Sequence, residues 1–262
     1  MSLIDKIARR ARSKYLSTLP LAALRDRLAA RPHALILSYH AFSEQISDYP
    51  YRTRADAFDA HLSFLSEIYT LLPLVDVVQE LKRNDGEATN RSIAAITFDD
   101  GYRDNLTIAT PVLEKHDCPA TLFALKDVVR RGGETYLNEE ELRSLGRHPL
   151  WSIGAHGVTH NVLPGLLQDD QEREMIECKE WLAGCLEAPM PAFAYPQGQI
   201  SETTIALARR HFDFALSTDR CLASAFDDHQ IRRYCPMKTD DDLRSFAISL
   251  LEWRSHTLAP RR

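Results

Sequence analysis

The chain has 262 residues, which is enough for one large domain or two small ones. Hydrophobic residues make up 44% and charged residues 26%, and this composition excludes a disordered, collagen-like or disulfide-scaffold protein. The formal net charge of −5 gives no general attraction to nucleic acid, so we expect no nucleic-acid partner.

Residues 1–31 are predicted to form a helical extension ahead of the main domain. Apolar residues recur at three- and four-residue spacing from Leu3 to Tyr15, which predicts an amphipathic helix, and a second short helix is expected over Leu21–Ala30. Basic residues interrupt the apolar ones of the first helix, so the segment lacks the continuous apolar core of a secretory signal. The five cysteines include no CxxC pair and are expected to be reduced thiols. We therefore expect a cytoplasmic location.

From residue 32 to residue 262, short apolar runs alternate with amphipathic segments. Strands are predicted over Ala34–Ser38, Ile93–Phe98, Ala120–Leu125, Trp151–Ala155, Pro191–Tyr195, Phe212–Leu216 and Ile231–Arg233. Helices are predicted over Ala55–Ile68, Leu74–Lys82, Asn105–His116, Asn138–Leu145, Asp169–Leu186, Ser201–His211 and Thr239–Trp253. This alternation predicts an α/β fold with a parallel sheet, and about seven strand–helix units favour a closed barrel over an open sheet. In either architecture the functional site lies at the carboxyl ends of the strands.

Two of these strand ends carry residues suited to metal chemistry. Asp99 and Asp100 follow the clearest strand, and adjacent buried carboxylates repel each other unless a cation or a proton relieves them; an ordinary turn is the alternative. His156 and His160 follow another strand, and a helical turn between them would point both rings the same way, as metal ligands require. One Asp and two His would form a three-ligand site of the kind that holds a catalytic Zn²⁺.

Two further strand ends carry weaker signals. Tyr195, Pro196, Gln197 and Gly198 form either a simple turn or a loop whose backbone N–H groups receive an oxyanion. His40 ends the first predicted strand, where a lone histidine is more often structural than functional.

Together these segments resemble the polysaccharide deacetylase family, the NodB-homology domain of carbohydrate esterase family four. Residues 97–102 are similar to its first motif, residues 156–160 to its second, and residues 195–198 to a variant of its third. The resemblance covers about residues 34–234. It implies a distorted (β/α) barrel of about seven parallel strands, which agrees with the alternation above.

The resemblance also implies an activity and a role for each site residue. The activity is metal-dependent hydrolysis of N-acetyl groups from amino sugars of a polysaccharide or its lipid-linked precursor. Asp100, His156 and His160 would bind one divalent ion, expected to be Zn²⁺, and Asp99 would be the general base. The backbone N–H of Gln197 would help to hold the oxyanion, and a general acid would protonate the leaving amine.

Three departures from the family pattern affect these assignments. Gly157 stands where a loop-fixing Ser or Thr is usual, and Ala194 stands where the family has an arginine that steadies the base. Arg232 or Arg233 is the candidate replacement for that arginine. The family's C-terminal motif, which supplies the acid, has no good match. The subgroup of biofilm poly-N-acetylglucosamine deacetylases, which this chain resembles most, has the acid on the first strand, where His40 lies.

The expected partner is an N-acetylated glycan, in the biosynthesis of an exopolysaccharide or adhesin. Two alternatives remain open: a related C–N hydrolase on the same fold, such as a deformylase or a cyclic-amide hydrolase, and a non-catalytic glycan-binding relic. The basic N-terminal helix also has two interpretations. It docks on the barrel or on a second subunit of a homodimer, or it rests on the inner face of the cell membrane.

Overall fold

A curved parallel sheet forms the centre of the fold. The structure, a computed structural model, describes residues 3–42, 49–86, 91–218 and 225–257. The strands are β1 (Ala34–Tyr39), β2 (Thr70–Leu71), β3 (Ile93–Asp100), β4 (Ala120–Ala124), β5 (Trp151–Ala155), β6 (Ala192–Ala194) and β7 (Phe214–Leu216). They lie in the order β1-β3-β4-β5-β6-β7, and β2 pairs with the start of β3. The strands are short and almost fully buried because helices cover the sheet, as in other parallel α/β folds.

The segment after β7 joins the two edges of the sheet. Ile231 forms a bridge to β7, and Tyr234 forms a bridge to β1. The prediction of a strand over Ile231–Arg233 is therefore wrong: the chain crosses from one edge to the other within a few residues, so it cannot form a ladder with either. The sheet curls into a half-barrel that this segment spans, and the predicted distorted (β/α) barrel is confirmed.

The helices surround this sheet. They are α1 (Leu3–Leu16), α2 (Leu21–Ala29), α3 (Ala55–Ser66), α4 (Leu74–Arg83), α5 (Thr110–Lys115), α6 (Lys126–Arg131), α7 (Glu139–Gly146), α8 (Gln168–Leu186), α9 (Glu202–His211) and α10 (Leu243–Thr257). Most match their predictions to within a few residues, although α6 was not predicted. The last helix begins at Leu243 rather than at Thr239, because Asp242 accepts a hydrogen bond from the backbone N–H of Ser245 at 2.8 Å. No helix among the described residues combines the length and the apolar character that crossing a membrane requires.

The side chains that point into the barrel change from apolar to polar along the strands. Ile36 of β1 and Ala95 of β3 belong to one apolar cluster with the buried face of α4. Alternate residues of a strand share a face, so Ser38 and Thr97 lie one layer further on, where both are fully buried. Asp99 follows on the same face of β3. The interior of the barrel is thus packed at its centre and polar at the carboxyl ends of the strands.

The cysteines in the described residues do not form disulfides. Cys118, Cys178 and Cys185 are free thiols, as the sequence predicts. Cys221 lies outside the described residues. Burial raises the pKa of the thiols of Cys118 and Cys178 to about 12, so both are protonated and act as small apolar residues of the core.

Candidate active site

The carboxyl ends of β3 and β5 bring the predicted metal ligands together. Asp100 Oδ1 lies 3.5 Å from His156 Nε2 and 3.5 Å from His160 Nε2. The three ligand atoms all lie within 4.8 Å of one another. Asp100 and His156 are buried, whereas the side chain of His160 is 34% exposed and borders the opening of the site. Three ligands with one side open is the arrangement of a catalytic metal site.

The ring of His156 is held in the tautomer that a metal requires. Its Nδ1 lies 2.7 Å from the backbone carbonyl oxygen of Ala194. A carbonyl oxygen only accepts hydrogen bonds, so Nδ1 carries the proton and Nε2 presents its lone pair toward Asp100. Such a contact to the second ring nitrogen is typical of metal-binding histidines.

The donor set fits one divalent ion. Asp100 Oδ1 is buried and has no hydrogen-bond donor among the described residues, although it faces two imidazole nitrogens. Burial opposes the charged form of this carboxyl, but the charges of His156, His40 and His160 lower its pKa below the ordinary value. An ionised oxygen without a donor is costly in the interior, and a cation between the three ligand atoms would remove that cost. Two imidazole nitrogens and one carboxylate oxygen are ligands that Zn²⁺ accepts.

The backbone of the site is bent at residues that are not glycine. Positive φ angles occur at Asp100 (+73°), His160 (+67°) and Gln197 (+54°). Neighbouring residues of a regular strand point to opposite faces, so this bend allows Asp100 to join Asp99 at the mouth of the barrel. Each such conformation costs on the order of 1–3 kcal/mol. Several strained residues close together are a feature of functional sites.

Glu174 of α8, which the sequence did not single out, holds the loop between the two histidines. Its Oε2 accepts hydrogen bonds from the backbone N–H groups of Val158 (2.7 Å) and Thr159 (2.9 Å), and its Oε1 accepts one from the Thr159 hydroxyl (2.5 Å). Gly157 has φ +98°, and a Cβ there would lie 3.2 Å from Glu174 Oε2. The positive φ at residue 157 therefore favours glycine. Glu174 supplies the loop contacts that a serine or threonine would otherwise make. The only signal in the sequence is an acidic residue on the buried face of α8, among Gln171, Met175, Cys178 and Leu182.

Arg233, one of the two arginine candidates, pairs with Asp99. Its Nη1 donates to Asp99 Oδ1 at 2.7 Å and its Nη2 to Oδ2 at 2.8 Å, and both side chains are buried. Ser38 donates to the same carboxylate at 3.0 Å. No ion pair or hydrogen bond joins Arg232 to Asp99 among the described residues. Of the two candidates, Arg233 is therefore the arginine that contacts Asp99.

This environment keeps Asp99 ionised. Burial alone would raise the pKa of its carboxyl, but the charges of Arg233, His156 and His40 lower it well below its ordinary value. Arg233 is itself fixed by bonds to the Thr97 hydroxyl (3.1 Å) and the Ser217 carbonyl (3.3 Å). The Asp99 carboxylate is therefore charged and held in one orientation.

His40 lies beside this pair. Its Nε2 is 3.9 Å from Asp99 Oδ2, and its buried Nδ1 has no hydrogen-bond partner among the described residues. Asn105 donates from its side-chain amide to the His40 carbonyl at 2.8 Å and so fixes the backbone there. Burial lowers the pKa of the imidazole more than the charges of Asp100 and Asp99 raise it.

Tyrosines extend from His40 in an aromatic row that the sequence did not single out: Tyr51, Tyr49, Tyr102 and Tyr136. The His40 ring stacks on Tyr51 at 5.2 Å, and Tyr49 lies 5.7 Å from Tyr51 and 6.1 Å from Tyr102. Tyr102 stacks on Tyr136 at 5.0 Å. Tyr51 is 36% exposed, so the row reaches the surface at that end.

The loop of the third motif packs against the loop of the second. A Cβ on Gly157 would lie 3.6 Å from Pro196, and Ala194 contacts His156 as described above. The side chain of Tyr195 points away from the site, since it is fully buried and its hydroxyl donates to the His229 carbonyl at 3.0 Å. This loop can therefore act in the site through its backbone; it comprises Tyr195, Pro196, Gln197 and Gly198. The Gln197 side chain is exposed.

Comparisons with known proteins agree with this geometry. The profile of the polysaccharide deacetylase family matches residues 86–212. YxkH of Bacillus subtilis (strain 168), a protein named for the same family, is 30% identical over 177 residues, which are 67% of this chain and 60% of that protein's length. The chain therefore spans about 60% of this curated relative.

Two solved structures share the fold. The Streptococcus pyogenes deacetylase PplD in complex with acetate aligns with a TM-score of 0.70 and 24% identity, covering 84% of this chain and 96% of that chain. IcaB from Ammonifex degensii aligns with a TM-score of 0.70 and 18% identity, covering 83% of this chain and 98% of that one. At these identities the two structures support the fold alone.

Proposed function

The chain belongs to the polysaccharide deacetylase family, and from that premise we propose that it removes N-acetyl groups from amino sugars of a polysaccharide or its lipid-linked precursor. The observation that carries the proposal is the adjacency of two functional halves at the end of β3. Asp100 belongs to a three-ligand metal set, and Asp99, the preceding residue, is an ionised carboxylate held by Arg233. Hydrolysis of an amide needs both an electrophilic centre and a base.

Each residue has a role in this mechanism. Asp100, His156 and His160 would hold the divalent ion, which when bound supplies Lewis acidity toward the acetamide carbonyl and lowers the pKa of a water. Asp99 takes the proton of the attacking water, and the bidentate contact with Arg233 keeps its carboxylate oriented. The backbone N–H of Gln197 is the proposed oxyanion donor.

His40 is the proposed general acid. Its Nε2 lies 3.9 Å from Asp99 Oδ2, so the base and the acid face the same small volume. Cleavage of the C–N bond requires a proton on the leaving nitrogen, and protonated His40 provides it. The products are acetate and a free amino group on the sugar.

The aromatic row supports a sugar substrate. Pyranose rings present an apolar face of C–H groups, which packs on flat aromatic side chains, while their hydroxyls reach polar groups at the rim. Tyr51 and Tyr49 flank His40, so a sugar stacked on them lies next to the proposed acid. A small cyclic amide bound at the metal ligands would not extend to the exposed Tyr51, and we therefore favour a glycan over that alternative.

The finer parts of the proposal rest on chemistry and on the sequence. We propose Zn²⁺ as the ion, because two imidazoles and a carboxylate suit it. We propose a cytoplasmic enzyme of exopolysaccharide or adhesin biosynthesis. It works as a peripheral protein on the inner face of the cell membrane, or as a homodimer, through its N-terminal helix.

The test is product analysis with a metal-reconstituted protein. We expect the Zn²⁺-loaded full chain to release acetate and free amines in equal amounts from oligomers of N-acetylglucosamine, and chelation to abolish the release. N-formyl oligomers run in parallel distinguish a deformylase, which would release formate faster than acetate. A metal-loaded protein that binds the oligomers and releases neither acid would contradict the proposal and favour the glycan-binding relic.

A further inference from the structure

A cavity lies at the end of the barrel opposite the candidate active site. It has a volume of about 380 Å³ and is lined by Arg12, Tyr15, Leu16, Arg27, Ala30, Arg31, Leu251 and Arg254. The N-terminal helices α1 and α2 and the last helix, α10, form its walls. Arg31 lies shortly before β1 and His40 directly after it, and a six-residue strand spans about 20 Å. We call this feature the arginine cavity; nothing in the proposed deacetylation uses it.

Three of the four arginines that line the arginine cavity have no ion-pair partner among the described residues. Among the described residues, Arg12, Arg27 and Arg31 form no ion pair with a carboxylate, and no acidic residue lines the cavity. Burial lowers the pKa of the Arg254 guanidinium, and the charges of Arg12 and Arg31 lower it further, against an opposing effect of Tyr69. Guanidinium groups brought together in this way repel one another, and an anion between them would relieve the repulsion.

Three of the four arginines are nevertheless held in place. Arg12 donates to the Leu251 carbonyl at 3.2 Å, and Arg27 donates to the Tyr15 hydroxyl at 2.7 Å. Arg254 donates to the carbonyl of Leu28 at 2.7 Å, at the end of α2. A guanidinium has five N–H donors, so each of these contacts fixes the side chain and leaves donors for a ligand.

The shape and charge of the ligand follow from these groups. Forked guanidinium donors match the oxygen spacing of phosphates, and several arginines around one cavity favour an anion with more than one negative charge. Leu16 and Leu251, which are buried, exclude water from one side of such an anion and strengthen its attraction to the arginines.

We propose that the arginine cavity binds the phosphate group of a phosphomonoester or diphosphate, at a site separate from the metal ligands. Two sources offer this chemistry. One is a soluble phosphate or diphosphate compound. The other is a phosphate-bearing lipid headgroup, because α1 also carries the exposed basic residues Arg10 and Lys14. The proposal is independent of the deacetylase activity, since none of the residues involved contacts the candidate active site.

The test compares Arg31→Gln with Arg147→Gln in the full chain. The Arg31 side chain makes no hydrogen bond or ion pair with described residues, so its replacement removes one cavity charge without removing a structural contact. Arg147 follows α7, is exposed and likewise has no side-chain partner among the described residues, and its replacement removes the same charge outside the cavity. Unfolding temperatures without ligand should match the wild type for both variants.

One arm of the experiment measures pyrophosphate and inorganic phosphate binding by calorimetry, and the other measures sedimentation with vesicles. The vesicles contain phosphatidylcholine alone or with phosphatidic acid. We expect Arg31→Gln to weaken binding at least tenfold in one arm, and Arg147→Gln to leave it within twofold of the wild type. Loss in the calorimetric arm identifies a soluble phosphate source, and loss in the vesicle arm alone identifies a lipid headgroup.

Two results would overturn the proposal. The first is a wild-type protein that binds neither pyrophosphate nor phosphatidic acid vesicles. The second is binding that Arg31→Gln and Arg147→Gln reduce to the same extent, which would reflect net charge rather than a site. Acetate release from N-acetylglucosamine oligomers, measured in parallel, should be unchanged in both variants, so failure of the arginine cavity would not be confused with failure of the deacetylase.

Discussion

Arg233 and Asp99 form a buried, two-bond ion pair across the mouth of the barrel, although 134 residues separate them in the chain. The guanidinium comes from the segment that spans the open side of the half-barrel, and the carboxylate ends β3. Closure of the barrel and orientation of the proposed base therefore depend on the same contact. The Arg233 guanidinium also lies over the ring of Phe123, 5.4 Å from its centre.

Removing the guanidinium should destabilise the protein. Arg233→Met leaves the Asp99 carboxylate buried without its partner, and breaking such a pair costs about 3–5 kcal/mol. The double variant Arg233→Met with Asp99→Asn should recover part of this loss, because no buried charge is then uncompensated. Urea denaturation measures each free energy of unfolding. Arg232→Met is the neighbouring control, and an equal loss in that variant would show that the pair has no special weight.

Loss of a metal ligand should abolish activity without unfolding the domain. His156→Ala and His160→Ala should each lose bound metal and deacetylation but retain near-native circular dichroism, because a core of this size does not depend on an ion. Asp99→Asn should instead retain the metal and lose turnover by about 10²–10⁴-fold, the range for general-base catalysis. Elemental analysis and acetate release give both quantities. Full activity of a metal-free histidine variant would refute the site.

Glu174 should affect the metal site from a distance. Glu174→Ala leaves the backbone N–H groups of Val158 and Thr159 without their acceptor, so the loop between the histidines loses its fixed geometry. We expect metal affinity to fall about 10–100-fold, as for other residues that orient metal ligands. Competition with a metal-binding dye measures this affinity. Glu177→Ala, on the same helix, is the control. Identical metal affinities in the two variants would show that Glu174 does not support the metal site.

His40 should matter more for an amide than for an ester. A leaving amine must be protonated, whereas nitrophenolate leaves as a stable anion, so His40→Ala should impair N-acetyl amide hydrolysis far more than nitrophenyl acetate hydrolysis. We expect the amide-to-ester ratio of kcat/KM to fall at least tenfold, about 1.4 kcal/mol of selective transition-state loss. His61→Gln, a buried histidine outside the site, is the control and should change both rates together. An unchanged ratio in His40→Ala would return His40 to a structural role.

Acid should destabilise the fold through His61. Its ring is buried between Tyr39 and Asp240, and burial lowers the pKa to about 4, although the hydrogen bond to the Asp240 carbonyl raises it. The unfolded chain binds this proton near pH 6.5 and the folded chain only near pH 4, so stability present above pH 6.5 is lost as the pH falls toward 4. The expected loss is on the order of 3 kcal/mol.

The His61 contribution can be isolated by comparing pH profiles. His61→Gln keeps polar atoms at the same place but does not titrate, so its free energy of unfolding should fall less between pH 6.5 and pH 4.5 than that of the wild type. His33, whose pKa burial also lowers to about 4, is present in both proteins and cancels in the difference. Parallel pH profiles for the two proteins would contradict the prediction.

Local patterns in the sequence were sufficient for six of the seven strands, for most helices and for the closeness of Asp100, His156 and His160. Buried strands are continuous apolar runs. Asp99 and Asp100 end one of them, β3, and His156 and His160 lie shortly after another, β5. The carboxyl ends of parallel strands lie at one edge of a sheet. The positions of these four residues in the sequence were therefore enough to predict that they lie close together. The strand predicted over Ile231–Arg233 failed for the converse reason: its residues have strand character, but their conformation is set by two separate edges.

Only the tertiary structure decided how the site is supported. The choice of Arg233 over Arg232, the contact of Glu174 with the histidine loop and the aromatic row beyond His40 all join elements that are distant in the chain. The arginine cavity likewise depends on α1 and α2 meeting α10. Residue type and spacing encode which face a side chain takes on its own element, whereas which other elements it meets is set by the packing of the whole barrel.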